Sequence, residues 1–370
     1  MLSQFNPPFR AEHIGSLLRP GNLLDLRAGF GRGEVSQEAL IAAEDQAIKE
    51  ALALQERVGL KVATDGEFRR RSYHSFFYSQ LGDISIDVTG GTSMAPACAR
   101  ADQPVALINS RIAWTKPINV ADFRFVEANT TLVPKITMPG PCALHYRGGD
   151  AAVLASAYKD LDEFWDDITV AFGRELNALA KAGCRYIQID ETAFAKFGDP
   201  EVQAALKARG DDWSVLIDKY ITVTNRILSH APANLRIGMH LCRGNRGGRW
   251  HAEGSYDAAA DRLFNALDIK FYFLEYDSPR AVTFSPLRFV PPAKSVVLGI
   301  VTTKTSVVES KLDLKRRLEE ATRYLSLDQL GISPQCGFAS VDTGNPVSVE
   351  SQEQKLRLVV EFAREIWGDS

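Results

Sequence analysis

Eight short runs of apolar and β-branched residues recur along the chain, and most are separated by longer stretches whose apolar positions return every three or four residues. The runs are Ala11 to Ser16, Lys61 to Glu67, Leu132 to Met138, Arg185 to Asp190, Arg236 to Cys242, Phe271 to Glu275, Val296 to Thr302 and Gly331 to Cys336. Their length fits strands. Helical period dominates Ser36 to Val58, Ala151 to Ala182, Glu201 to Leu228, Asp257 to Leu267 and Val307 to Leu325. Strands alternating with helices pair in parallel, because parallel neighbours need a long crossover. The pattern predicts an α/β fold, a (β/α)8 TIM barrel, with a doubly wound open sheet as the alternative. Polar residues at or just beyond the carboxyl ends of the runs favour the barrel, whose chemistry sits at that face. They include Ser16, Glu67, Asp190, His240, Cys242, Glu275 and Cys336.

The stretch 69–129 is the longest without a clear helical pattern, and it reads as an insertion after the second strand, lying over the barrel mouth, with a hairpin near Ile84 to Val88. No repeat, low-complexity tract or Pro/Gly-rich linker divides the chain, so residues 1–370 read as one domain.

Composition narrows the function classes. With 45% apolar and 24% charged residues the chain has the make-up of a folded protein, which excludes disorder and collagen. Forty-three Lys and Arg against 46 Asp and Glu leave a charge of -3, too balanced for a nucleic-acid partner held by phosphate neutralisation. No apolar run reaches the roughly 18 residues that span a bilayer, and the N-terminus lacks the apolar centre of a secretory signal, so no membrane partner and a cytoplasmic location are expected. Five widely spaced cysteines argue against a disulfide framework and leave thiols for metal or redox chemistry.

The sharpest local signal is His240-Leu241-Cys242, two good zinc ligands at i and i+2 of a strand, hence on one face. Composition alone yields about 0.08 such pairs in a chain of this length. A buried cysteine beside a core histidine is the bland alternative for these two residues by themselves. Glu275 and Cys336 end the sixth and eighth runs, on the side where His240 and Cys242 emerge. One imidazole, two thiolates and a carboxylate suit tetrahedral zinc better than magnesium or calcium, which prefer oxygen. Such a centre carries net negative charge and is a poor Lewis acid for hydrolysis. It suits a thiol instead: a free thiol is only about 3% ionised at pH 7, whereas metal coordination removes its proton.

His240-x-Cys242, Glu275 in FLEYDS, Cys336 in SPQCGF, and the segments HIGSLLRP, TDGEFRR and QIDETAF together resemble the catalytic half of cobalamin-independent methionine synthase, from His13 to about Gly337. The long enzymes carry a second, N-terminal barrel, and this chain resembles the short single-barrel members. The resemblance implies zinc held by His240, Cys242, Glu275 and Cys336, and a methyl group passed to the thiol of homocysteine to give methionine. It also implies Ser16 for the amino acid carboxylate, and Glu67 and Asp190 for its ammonium group. The residue chemistry agrees, since paired carboxylates suit an ammonium and a backbone amide with a hydroxyl suits a carboxylate. A homodimer is expected by analogy with other short barrels.

Three departures from the long enzymes bear on the donor. The segment between Cys242 and Glu275 is long and carries RGNRGGRWHAEGS. Gly299 to Lys304 occupies the seventh strand, where the long enzymes have a histidine, so no general acid is assigned. MPGPCALHYRGG lacks the nearby tryptophan on which a pteridine would stack, leaving His145 or Tyr146 as substitutes and both methylfolate and methylcobalamin as candidate donors. Arg243, Arg246 and Arg249 form a glycine-spaced basic loop that reads either as solvated surface or as an anion site. His251 reads as a surface residue rather than a ligand. The alternative function resembles epoxyalkane:coenzyme M transferase, a zinc-dependent thiol alkyltransferase whose acceptor bears a sulfonate. A metal-free barrel resembling uroporphyrinogen decarboxylase is the reading from another class.

Overall fold

The computed structural model describes residues 7–87, 105–154 and 157–368. Among the described residues there are ten strands: β1 (Val62–Ala63), β2 (Ile84–Asp87), β3 (Val105–Ile108), β4 (Val133–Pro134), β5 (Ile136–Pro139), β6 (Tyr186–Asp190), β7 (Arg236–Leu241), β8 (Phe271–Glu275), β9 (Ser295–Val301) and β10 (Leu330–Pro334). Six of them form one parallel sheet in the order β10-β9-β8-β7-β6-β5, and β1 pairs in parallel with β4, which leads directly into β5. The first predicted run is not a full strand. Its Ala11 bridges in parallel to Ile332 of β10, and beyond that it meets the second run through Leu17 N–H to the Gly66 carbonyl (3.1 Å) and Thr64 Oγ1 to the Gly15 carbonyl (2.8 Å). All eight predicted runs thus neighbour one another in chain order, the connectivity expected of a (β/α)8 barrel.

Side chains alternate along each strand, so Phe271, Phe273 and Glu275 share one face, as do Tyr186, Gln188 and Asp190. Phe271, Phe273 and Tyr186 cluster with Phe9, Ile14, Val62 and Val297, a packed plug drawn from five of the eight runs. The polar residues at the far ends of those strands are thereby carried to one rim. A larger core lies between sheet and helices.

The predicted helices differ in where they break. Gln37–Val58 is one helix, begun by Ser36 Oγ accepting from Ala39 N–H and ended at left-handed Gly59 (φ 91°). The stretch Glu201 to Leu228 is two helices, Pro200–Arg209 and Trp213–Leu228, because left-handed Gly210 stops the first and the Asp212 carboxylate caps the second. Likewise Ala151 to Ala182 divides into Ala143–Leu154 and Leu161–Ala182, the latter capped by Asp160. Val307 to Leu325 shortens to Lys311–Ala321. Gly21–Gly31 and Val349–Trp367 are helices that the list of helical stretches does not include.

Within 69–129, the hairpin is built from β2 and β3, whose connecting residues 88–104, with Val88 and Cys98, lie outside the described residues. Val120–Asn129 is a ten-residue helix that buries Phe123 and Val126, in a stretch where the sequence shows no clear helical pattern. Its start is tied to the body by another anchor. The Glu175 carboxylate accepts from the amides of Ile118 and Asn119 and from the Trp114 indole, at 2.7 to 2.9 Å. At the other end of the stretch, Ser72 bridges to Val341, which joins it to the loop after β10. No helix among the described residues is long and apolar enough to cross a membrane.

Candidate active site

The carboxyl ends of the strands open into a cleft of about 550 Å³ lined by Ser16, Glu67, Asp190, His240, Cys242 and Cys336, together with residues of the Arg71–Ser75 and Gly244–Arg249 loops. His240 ends one parity of β7 and Cys242 follows it by two, so both face the same way. Cys336 arrives two residues after β10. One ligand atom from each of the three lies within 4.8 Å of the others, and all three side chains are buried. Among the described residues the buried His240 ring meets no hydrogen-bond partner beyond the Cys242 thiol, a weak donor, and a metal ion shared with that sulfur would satisfy the imidazole better. The thiols are free rather than disulfide-bonded. The thiol of Cys336 holds Cys242 well below the usual thiol range against the cost of burial, with the His240 imidazole adding to the effect. Cys336 is pushed up in turn by the same sulfur. The two sulfurs are thus joined by a hydrogen bond, and the donor set of one nitrogen and two sulfurs fits zinc.

Glu275 is not in that group. Its Oε1 accepts from Arg280 Nη2 (2.6 Å) and Lys304 Nζ (3.2 Å), and its Oε2 accepts from the Arg243 amide (2.6 Å). Burial alone would raise its pKa, but the charges of Lys304 and Arg280 outweigh it and keep the carboxyl below the usual range. Lys304, three residues beyond β9, also bonds Asp277 (3.0 Å).

The predicted acceptor residues share the cleft. Asp190 ends β6 opposite His240 of β7, and burial, reinforced by Glu67, pushes its carboxyl up to about 7 while His240 pulls it down. A buried carboxyl raised by the charge of a second one favours a cation between them. Glu67 adopts a left-handed backbone (φ 61°), rare for a residue with a side chain, and it is held there by several bonds. Its carbonyl accepts from Arg19 (2.7 Å), its amide donates to Asp65 (2.9 Å), and its carboxylate accepts from Thr137 (2.8 Å). Such locally strained geometry accumulates at functional sites. Ser16 Oγ accepts from the Ala339 amide (3.2 Å), and a Cβ on Gly337 would sit 1.9 Å from that oxygen. Gly337→Ala is therefore expected to displace the Ser16 hydroxyl and raise the KM for the amino acid acceptor at least tenfold with zinc content unchanged. Steady-state kinetics beside metal analysis checks this.

Three features of the cleft were not legible in the sequence. Arg243 is not part of a solvated loop: it is fully buried, donates to the carbonyls of Gly254 (2.8 Å) and Glu275 (2.9 Å), and stacks on Tyr256. Arg246, Arg249 and His251 line the cleft instead. His145 and Tyr146 do not line it. His145 is tied to Tyr220 (2.8 Å) and Asp150 (2.7 Å), and Tyr146 is 1% exposed, so the rings that line the cleft include Tyr73, His74 and His251 in their place. Arg147 and Lys196 also line the cleft, from segments just after β5 and β6. Their position one short segment beyond a strand end was the available signal.

Residues 9–365 match the family described as cobalamin-independent synthase, catalytic domain. The chain belongs to this family. It is 36% identical over 367 residues to the uncharacterized protein YxjH of Bacillus subtilis, covering 98% of this chain and 96% of that one. A crystal structure of the putative vitamin-B12 independent methionine synthase from Listeria monocytogenes superposes with a TM-score of 0.75 at 33% identity, over 99% of this chain and all of the other. The 5-methyltetrahydropteroyltriglutamate–homocysteine methyltransferase of Thermosynechococcus vestitus is 23% identical over 335 residues, 90% of this chain but only 40% of that enzyme. Methionine synthase relatives thus share the α/β barrel fold with this family member.

Proposed function

We propose that the protein is a zinc-dependent methyltransferase that alkylates the thiol of homocysteine. The observation carrying this reading is the convergence of His240, Cys242 and Cys336 in the same cleft as Ser16, Glu67 and Asp190. Zinc bound there supplies the positive charge that makes a substrate thiol ionise near neutral pH. His240, Cys242 and Cys336 would hold the ion, with Glu275 as its fourth ligand. Arg280 and Lys304 pair with that carboxylate and keep it ionised, the form in which it would coordinate a metal. Ser16 receives the carboxylate of homocysteine, and Glu67 and Asp190 receive its ammonium. Fixed at both charges, the acceptor presents its sulfur to the methyl carbon, and the new S–C bond forms as the donor–carbon bond breaks. The thiol proton is lost before attack and the electron pair of the breaking bond stays on the donor's leaving atom: a methylfolate nitrogen then takes a proton from solvent or from a group in the cleft, whereas a sulfonium sulfur or a cobalt needs none.

The test is a product assay with homocysteine and a panel of methylfolate, methylcobalamin and sulfonium donors, alongside coenzyme M as competing acceptor. Methionine formed with one equivalent of zinc supports the reading, and alkylation of coenzyme M alone rejects it. Asp190→Asn is expected to keep zinc and weaken homocysteine by about tenfold or more, the worth of a charge-assisted hydrogen bond. Unchanged homocysteine affinity in that variant would remove the ammonium pocket.

A further inference from the structure

We propose that Arg147 and Lys196 form an anion subsite in the cleft wall, which receives a carboxylate or phosphate group of the methyl donor. The inference rests on the reading that homocysteine occupies Ser16, Glu67 and Asp190. Arg147 lies on the Ala143–Leu154 helix after β5, and Lys196 ends the four-residue helix Ala193–Lys196 after β6. Both line the cleft, yet they are only 8% and 2% exposed. Neighbouring rings fix their heads. Lys196 Nζ lies 5.0 Å above the ring of Tyr146, the residue preceding Arg147, and Arg147 Nη2 donates to the Tyr73 hydroxyl at 3.3 Å.

Two cations this deep and this close oppose each other's charge. Burial, with Arg147 adding to it, pushes Lys196 down to about 7. The buried Glu191 carboxylate acts on both cations, but its oxygens also accept from the amides of Cys142 (3.1 Å) and Ala193 (3.0 Å), and an anion bound in the cleft would add to that compensation. The acceptor does not supply that anion, because its carboxylate and ammonium already have partners on the Ser16, Glu67 and Asp190 side. The donor remains. Arg246 and Arg249 line the same cleft and extend its positive field. With His145 and Tyr146 withdrawn from the cleft, this wall offers the charges of Arg147 and Lys196 beside the ring of Tyr73.

Binding to the zinc-loaded full chain, measured by titration calorimetry, tests the proposal with three probes: 5-methyltetrahydrofolate for carboxylates, methylcobalamin for a phosphodiester, and inorganic tripolyphosphate. At least one of the two donors is expected to bind. Lys196→Met should weaken that donor about tenfold or more, and Lys196→Arg should bind it within about threefold of the unaltered protein. Homocysteine affinity, zinc content and thermal midpoint should hold in both variants. Which donor responds distinguishes the two sources of the anion. The subsite is rejected if no probe binds the unaltered protein, if Lys196→Met and Arg147→Met both bind the donor normally, or if homocysteine or coenzyme M affinity falls in place of donor affinity. Because the readout is binding, a protein that binds the donor through Lys196 but makes no methionine would count against the proposed reaction and not against the subsite.

Discussion

Cys242→Ser is expected to lose zinc and methyl transfer together, with activity falling by more than about a hundredfold. Alteration even of groups that merely support a metal ligand costs 10- to 100-fold, so loss of a direct thiolate sets that as the lower limit. A hydroxyl is nearly the size of a thiol but stays protonated at neutral pH, so the site would keep its shape and lose its soft anionic donor. The same change would strip Cys336 of the sulfur to which it is hydrogen-bonded. Elemental analysis after exhaustive dialysis, paired with the product assay and a thermal melt, reads all three properties. A folded variant that retains one equivalent of zinc and makes methionine at the original rate would dismiss the metal centre.

The largest stability loss is expected from Lys135→Met, in the interior of the barrel and away from solvent. Lys135 is fully buried, and its Nζ donates to Glu12 Oε2 (3.0 Å), to Gln188 Oε1 (3.2 Å) and to the His13 carbonyl. Removing it leaves the Glu12 carboxylate buried with the Tyr186 hydroxyl as its remaining side-chain partner. Breaking one side of a buried ion pair costs about 3–5 kcal/mol, far more than the pair itself contributes. Burial already raises the Glu12 carboxyl against the pull of Lys135, and the variant loses that pull. The folded variant then binds a proton that the unfolded chain has released, so its deficit should shrink as pH falls toward the ordinary carboxylate range and grow above it. Urea midpoints at several pH values check both statements, and Glu12→Gln added to the variant should recover much of the loss. A deficit under about 1 kcal/mol at neutral pH would show that the pair is dispensable.

That buried network also reaches the site. Gln188 accepts from Lys135 and donates to Asp190 Oδ1 (2.7 Å) and to the Ile14 carbonyl (2.6 Å), so the orientation of the proposed ammonium ligand is set from below by the barrel interior. None of this was legible from pattern, because Lys135, Gln188 and Glu12 stand on three separate runs and meet only when the sheet curls. Period also misjudged helix ends. It saw the apolar stripe of Glu201 to Leu228 as continuous, whereas Gly210 and the Asp212 cap divide it by local backbone chemistry that an apolar count does not weigh.

What the chain alone determined was the alternation of strand and helix, the strand-end position of its polar residues, and the pairing of His240 with Cys242 on one strand face. Each of these follows from spacings of a few residues, where the geometry of a strand or a helix converts sequence offset directly into direction. Tertiary structure decided what meets across long separations. It drew Cys336 to the His240 and Cys242 side chains, turned Glu275 toward Arg280 and Lys304, buried Arg243, and brought Arg147 and Lys196 into the cleft. Those outcomes depend on which strands become neighbours and on which charges share a buried volume, and a linear spacing carries no measure of either.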